Sequence, residues 1–401
     1  MSEWERVRLN EVIALDVDAV PVTATATYDI VGVLNRGRGL LFREPIAGDE
    51  TSYKTLNRIR PNQIVYSRLK AFEGAITVAP NDLSEVYASQ EFPTFTCGER
   101  MLPEYFRLLT TTKRLWEQLQ ALSTGMGGRR ERVKPAAFLT IEVALPPLPE
   151  QRRIVEVMAA VDAQIAALTE EIEAATRTLS VLRADVPESG EVPIASVVDG
   201  IDSGRSVQTR GEAPVQGKAR VLKLSAVQLG HFDANEAKRL DGHSGYAQAH
   251  LVNDGDLLIT RSNTPERVGY VAVAFDVPAD TYLPDLIWRI RPDESRCLAT
   301  YLGHLLSAAE FRARIAASAS GTSKSMQKIN KKNFGALKVP VPAIADQEAY
   351  VAKCDAMADA LRVGKVELSH LRVFRSALLA SLRSQENEIP ESYDVLLEEA
   401  S

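Results

Sequence analysis

The chain has 401 residues, a formal net charge of −6, and 45% hydrophobic against 25% charged residues. That length allows two or three domains, each able to bury its own core, and the composition is that of an ordinary globular protein, not a disordered or fibrous one. No apolar run approaches the roughly 18 residues of a membrane-spanning helix, and the scattered Cys97, Cys297 and Cys354 fit reduced thiols better than a disulfide framework or a zinc site.

At the N-terminus, Met1-Ser2-Glu3-Trp4-Glu5-Arg6 is acidic and has no apolar stretch, so no signal peptide and a cytoplasmic location are expected. Trp4 to Leu15 reads as a short amphipathic segment. Tyr28 to Val33 reads as a strand, followed by a loop carrying glycine and arginine, Asn35-Arg36-Gly37-Arg38-Gly39. Arg60-Pro61-Asn62-Gln63 reads as a turn before a strand from Ile64 to Arg68, and Gly74 to Val78 as a further strand. Pro103 to Leu122 has helical periodicity through Tyr105, Leu108, Leu109, Leu115, Trp116 and Leu119. A basic, glycine-led loop runs from Gly125 to Lys134. It precedes a short strand from Leu139 to Leu145, which closes a first globular domain over 1–145.

Pro146-Pro147-Leu148-Pro149-Glu150-Gln151 then leads into an unbroken apolar rhythm, with a helix expected to open at Glu150. Ile154, Met158, Val161, Ile165, Leu168, Ile172, Ala175, Leu179 and Leu182 follow one another at alternating steps of 4 and 3. That is the seam of a helix that packs on another helix. It implies roughly 35 helical residues, about 50 Å, within a first spacer over 146–186. An apolar stripe that is simply core leads to the same helix-on-helix packing.

The second half repeats this order. Gly255-Asp256-Leu257-Leu258-Ile259-Thr260-Arg261 matches the strand beginning at Asn62, and Val268 to Val273 matches the one beginning at Gly74. Ala299 to Ala316 is the helix before a second glycine-led basic loop, Gly321 to Lys332. This second domain spans 187–338. Val339-Pro340-Val341-Pro342-Ala343-Ile344-Ala345-Asp346-Gln347 repeats the proline-rich lead-in, with Gln347 lying 196 positions after Gln151. Val351, Cys354, Ala358, Leu361, Leu368, Leu371, Leu378 and Leu382 repeat the seam less cleanly. Gly364 weakens its middle, and Lys365 stands where an apolar residue is expected. The second spacer runs over 339–384 and an acidic tail over 385–401. The fold expected is mixed α/β (α+β): two similar globular domains and two long antiparallel helices forming a coiled coil.

These features resemble the specificity (S) subunits of type I restriction–modification systems. The likeness is carried by the Pro-Pro-Leu-Pro-Glu-Gln lead-in at Pro146, by the Gly-Asp-Leu-Leu-Ile-Thr-Arg strand at Gly255, and by their twofold repeat. It covers nearly the whole chain. This sequence departs from the pattern at Asp346-Gln347, where Glu-Gln is usual, and at Asn62-Gln63, where Gly-Asp is usual. The resemblance implies that each globular domain is a target-recognition domain reading one half of a split, asymmetric double-stranded DNA site. It implies that the helices set the spacing and dock two methyltransferase (M) subunits. Restriction (R) subunits would join the full phage-defence complex, and the chemistry would belong to those other chains.

The residues agree with a non-enzyme that needs no cofactor. There is no Asn/Asp-Pro-Pro-aromatic loop for a flipped adenine and no Gly-Lys-Ser/Thr phosphate loop. Asp233 with Glu236-Ala237-Lys238 is too compact for a nuclease site, and the five histidines show no paired metal spacing. The net charge does not advertise nucleic acid, but charge is segregated. Glu150 to Glu188 carries 8 acidic and 4 basic side chains, while the loops are basic. Candidate DNA contacts are Arg36, Arg38, Lys54, Arg68, Arg129, Arg130 and Arg132 in the first domain. In the second they are Arg205, Arg210, Lys218, Arg220, Arg261, Lys324, Lys328 and Lys331. Each of these could equally be a solvated surface charge. Off-seam Val155, Val157, Val181, Val366, Val373 and Phe374 are candidates for partner docking. A protein-binding scaffold and a self-contained methyltransferase or nuclease are the competing readings.

Overall fold

The computed structural model describes residues 4–123, 132–206, 211–215, 217–240, 246–320, 326–386, 389–390 and 393. The chain forms two compact units. One combines Met1–Ala167 with Ser369–Ser401; the other is Leu168–Leu368.

In the first unit, β1 (Glu5–Arg8), β2 (Ile13–Leu15), β3 (Ile64–Tyr66), β4 (Ile76–Val78) and β5 (Thr94–Cys97) are followed by α1 (Pro103–Thr110), α2 (Lys113–Ala121), α3 (Pro135–Phe138), β6 (Glu142–Leu145) and the start of α4 (Leu148–Ala184). The main sheet is antiparallel in the order β4-β3-β5-β2, and β1 pairs with β6. The amphipathic segment from Trp4 to Leu15 is two strands joined by a tight turn, with Val7 buried between exposed neighbours in a period of two. One expectation changes here. The helix expected over 103–122 breaks at Thr111 and Thr112. The hydroxyls of Thr110, Thr111 and Thr112 each donate at 2.7 Å to the carbonyl three residues back, in competition with the helical ladder. Tyr66, Phe95 and Phe138 stack at the centre of this unit's core, with centroids 4.8 to 5.9 Å apart.

In the second unit, β7 (Glu191–Pro193), β8 (Val198–Ser203), β9 (Leu257–Thr260), β10 (Val271–Val273) and β11 (Ile287–Pro292) precede α5 (Ala299–Ser307), α6 (Ala309–Ser318), α7 (Lys331–Ala336), β12 (Lys338–Pro340) and α8 (Ile344–Ser384). Its sheet runs β10-β9-β11-β8, and β7 pairs with β12. This is the strand order of the first unit, so the repeat seen in the sequence extends to topology. The helix expected over 299–316 is again two. The Ser307 hydroxyl donates to the Gly303 carbonyl at 2.8 Å, and Ala308 is extended. The units differ in a second small sheet. In the first unit, Thr55–Ile59 is flanked by two antiparallel strands. In the second, Arg220–Leu222 has one antiparallel neighbour and one parallel.

Helix α4 opens at Leu148, two residues earlier than expected. Pro149 falls in the first turn, where its missing N–H costs nothing. Of the expected seam residues, Ile154, Met158, Leu168, Leu179, Cys354, Leu361 and Leu368 are buried. Val161, Ile165, Ile172, Leu182, Val351, Leu371 and Leu378 are half-buried, and Leu379 is the more deeply buried of the pair at the end of α8.

The α4 and α8 segments within the second unit run antiparallel. Tyr350 donates its hydroxyl to the Arg183 carbonyl at 2.9 Å, and a Cβ on Gly364 would stand 3.3 Å from the Ile172 side chain. Gly364, not Lys365, therefore occupies the seam, and its lack of a side chain lets the two helices approach. In the first unit, Arg375 takes the seam position between Leu371 and Leu378 and forms an ion pair with Asp162. With this glycine and this paired arginine included, the second seam keeps steps of 3 and 4, but two steps of 3 follow one another from Ala358 through Leu361 to Gly364.

Candidate nucleic-acid interface

The lead-in glutamines lock each helix start to its globular core. Gln151 is fully buried. Its amide donates to the carbonyls of Arg100 and Pro146, both at 2.8 Å, and its side-chain oxygen accepts from the Leu102 N–H at 2.9 Å. Gln347 does the same with Arg296 (2.8 Å), Pro342 (2.9 Å) and Leu298 (2.9 Å). In each lock both amide protons and the side-chain oxygen are directed at backbone.

The far helix ends are also anchored. In the second unit, Arg183 is buried beside His304, donating to its Nδ1 at 3.3 Å, while His304 Nε2 lies 2.7 Å from Asp355. Burial holds the Arg183 guanidinium below its ordinary pKa, with Cys354, Tyr350 and Asp355 acting the other way. In the first unit, Arg383 is held down in the same direction by burial, with Tyr105 opposing.

The turns that launch β3 and β9 are equivalent despite their different residues. Asn62 has φ 61° and Gly255 has φ 88°; asparagine is among the few residues that tolerate that region. Gln63 accepts from the Arg60 N–H at 2.9 Å, as Asp256 accepts from the Asn253 N–H at 2.9 Å. Asn62-Gln63 thus preserves the turn made by Gly255-Asp256.

Of the basic residues expected to touch DNA, Arg129, Arg130, Arg210 and Lys324 lie outside the described residues. In the first unit, Arg36, Arg38 and Lys54 are exposed. Arg38 donates to the Asn35 carbonyl at 3.0 Å. Arg132 is committed to Glu91, with Nε 3.0 Å from each carboxylate oxygen, and Arg68 is half-buried. In the second unit, Arg205 and Lys218 are exposed, whereas Arg220 is 9% exposed inside a strand.

Arg261, Lys328 and Lys331 converge. Arg261 and Lys331 each lie 5.9 Å from the centroid of the buried Trp288 ring, and Lys328 pairs with Ser262 on adjoining short strands. Lys331 also lines a shallow cleft with Ser203, His250, Arg289 and Arg291. The sequence reading missed Arg289 and Arg291. Their signal was an Arg-Ile-Arg alternation, which puts both on one strand face. Arg289 is anchored by Asp202 (3.0 Å) and Asp256 (3.2 Å); Arg291 also pairs with Asp202 (3.2 Å) and is the more exposed of the two.

Among the described residues there is no group of three side chains able to hold a metal ion, and no helix long and apolar enough to cross a membrane. The buried Cys297 thiol is pushed up to about 12, chiefly by burial.

Residues 1–177 match the family described as the type I restriction modification DNA specificity domain. The match takes in 177 of the 401 residues, a little under half of the chain. The specificity subunit of the type I restriction enzyme EcoKI, from Escherichia coli (strain K12), is 25% identical over 300 residues, covering 67% of this chain and 64% of that protein. The EcoEI specificity subunit, from Escherichia coli, is 25% identical over 186 residues, 44% of this chain and 31% of that protein. The match thus spans a little under two thirds of the first relative and about a third of the second. The fold is shared along almost the whole chain. The type I restriction-modification S subunit from M. genitalium superposes with a TM-score of 0.56 at 14% identity, covering 94% of this chain and 96% of that one. A chain from a structure described as the basis of complex assembly and conformational transition of the type I R-M system gives 0.55 at 20% identity, covering 95% and 97%. The matched segment ends inside α4, so it takes in the first globular part, its glutamine lock and most of the first long helix.

Proposed function

We propose that this chain is the non-catalytic DNA-reading subunit of a type I restriction–modification assembly. Each α/β unit reads one half of a bipartite, asymmetric double-stranded target. The long helices fix the spacing between the halves and dock two methyltransferase subunits, and restriction subunits complete the assembly in the cytoplasm. Methylation, translocation and cleavage belong to those partner chains. The observation that carries this reading is the repetition of one sheet order and one glutamine lock in both halves of a chain whose residues 1–177 match a DNA specificity domain. One recognition module used twice suits a split target. Val181, Val366, Val373 and Phe374, all exposed on the helices, support partner docking.

Methylome sequencing tests the proposal, in cells carrying the chain with its neighbouring methyltransferase, with and without the chain. A split motif of methylated adenines that vanishes without the chain is the expected result. The absence of any chain-dependent motif would reject it.

Neutralising Lys324, Lys328 and Lys331 together is expected to weaken DNA binding at all sequences. It should also flatten the slope of log affinity against log salt by up to about 3, because each phosphate contact contributes about 0.9. An unchanged slope would remove this loop from the interface.

A further inference from the structure

We infer that Arg36 reads a guanine in the half-site of the first unit; this rests on the DNA-reading function proposed above. Among the described residues, five that are not glycine have positive φ: Arg36, Asn62, Asp276, Asp280 and Gln385. Asparagine and aspartate tolerate that region. Gln385 directly follows the last residue of α8, where helices commonly finish in a left-handed conformation. Arg36 has neither reason. It holds φ 61° at the tip of the hairpin that pairs Val31–Val33 with Leu40–Phe42. A non-glycine residue held there is strained, and such strain gathers at functional positions.

The tip is seated, not loose. Gly37 donates its N–H to the Gly74 carbonyl at 3.3 Å, and a Cβ on Gly37 would stand 2.5 Å from the Thr110 carbonyl oxygen. Trp116 donates its indole N–H to that same carbonyl at 2.7 Å. The Arg36 guanidinium carbon lies 5.9 Å from the centroid of the Trp116 ring. The Arg36 side chain is exposed and, among the described residues, makes no hydrogen bond or ion pair. The chain thus presents one guanidinium from a fixed backbone, against an aromatic surface, with its donors open.

That arrangement suits a base better than a phosphate. A phosphate takes a cation from many directions, and a flexible lysine such as the exposed Lys54 serves. Guanine presents O6 and N7 side by side in one plane, matched by the arginine fork. Strain and an indole support give orientation, which only the planar partner needs.

The test uses the full chain with its companion methyltransferase, comparing wild type, Arg36→Gly and Arg36→Lys by methylome sequencing. The melting temperature of each purified full chain is measured in parallel. Arg36→Gly is expected to melt at the same or a higher temperature, because glycine adopts positive φ freely. It should lose about tenfold or more discrimination for guanine at one position of one half-site. Arg36→Lys keeps the charge but not the fork, and should lose the same discrimination. A wild-type motif that Arg36→Lys preserves in full would assign Arg36 to a phosphate and overturn the inference. So would an Arg36→Gly variant with an unchanged motif, or one that melts lower and weakens methylation evenly at all positions. If the wild-type chain itself directs no motif, the DNA-reading function fails, and this inference with it.

Discussion

Replacing Ile165 by proline is expected to abolish target recognition and assembly together. Ile165 lies inside α4, where a proline removes the N–H bonded to the Val161 carbonyl and drives its ring into that carbonyl, at a cost of about 3 kcal/mol or more. The damage falls one turn from the Asp162–Arg375 ion pair, which fastens α4 to α8 in the first unit. If the helices fix the spacing of the half-sites, a kink here disables both readers at once, although no residue near Ile165 belongs to either reading surface. Ile165→Ala separates backbone from side chain. It trims a half-buried residue while leaving the helix continuous, and should retain most binding. The measurement is the affinity of the full chain for its bipartite target, with circular dichroism as a check that the globular parts persist. Full affinity in the proline variant would show that the helix is not a spacer.

Much of this architecture was legible because it rests on local, periodic signals. Steps of 3 and 4 along α4 specify an amphipathic helix without help from the rest of the chain, and the proline-rich lead-ins mark where it can start. What stayed hidden depends on partners distant in sequence. Gly364 and Arg375 look like faults in the second seam. They make sense only beside Ile172 and Asp162, which lie on the other long helix. The threonines at the end of α1 look compatible with one long helix until their hydroxyls are seen bonded back to carbonyls.

The basic residues show the same division. Arginine and lysine content pointed to broad regions, but composition could not separate Arg132, held by Glu91, from the open guanidinium of Arg36. Nor could it show that Arg220 is buried in a strand. The glutamine of each lead-in was visible as a motif, while its three backbone partners come from segments about 50 residues earlier as well as from its own turn.

That glutamine sets the second large expected effect. Gln347→Ala leaves the Leu298 N–H and the carbonyls of Arg296 and Pro342 without their partner at a fully buried site. Each buried group left unmade costs about 1–3 kcal/mol, so the loss should reach about 3 kcal/mol or more in denaturant unfolding of the full chain. Gln347→Glu sharpens the test, because it keeps the shape and the acceptor for Leu298 but turns a carboxylate oxygen toward two carbonyls. Burial and those carbonyls oppose ionisation, so the folded-state pKa of the new carboxyl rises above its unfolded value of roughly 4.3. The protonated acid can donate to one carbonyl. The variant should therefore be most stable, relative to wild type, below the unfolded pKa, and lose that stability as pH rises through the folded one. Gln151→Glu should behave in the same way in the first unit. Were Gln347→Ala to unfold within 1 kcal/mol of wild type (a margin on the order of one ordinary hydrogen bond), or Gln347→Glu to show no added pH dependence, the glutamine would be a passenger in the lead-in. The hold of each helix on its globular core would then have to come from the apolar contacts around Ile154 and Tyr350 alone.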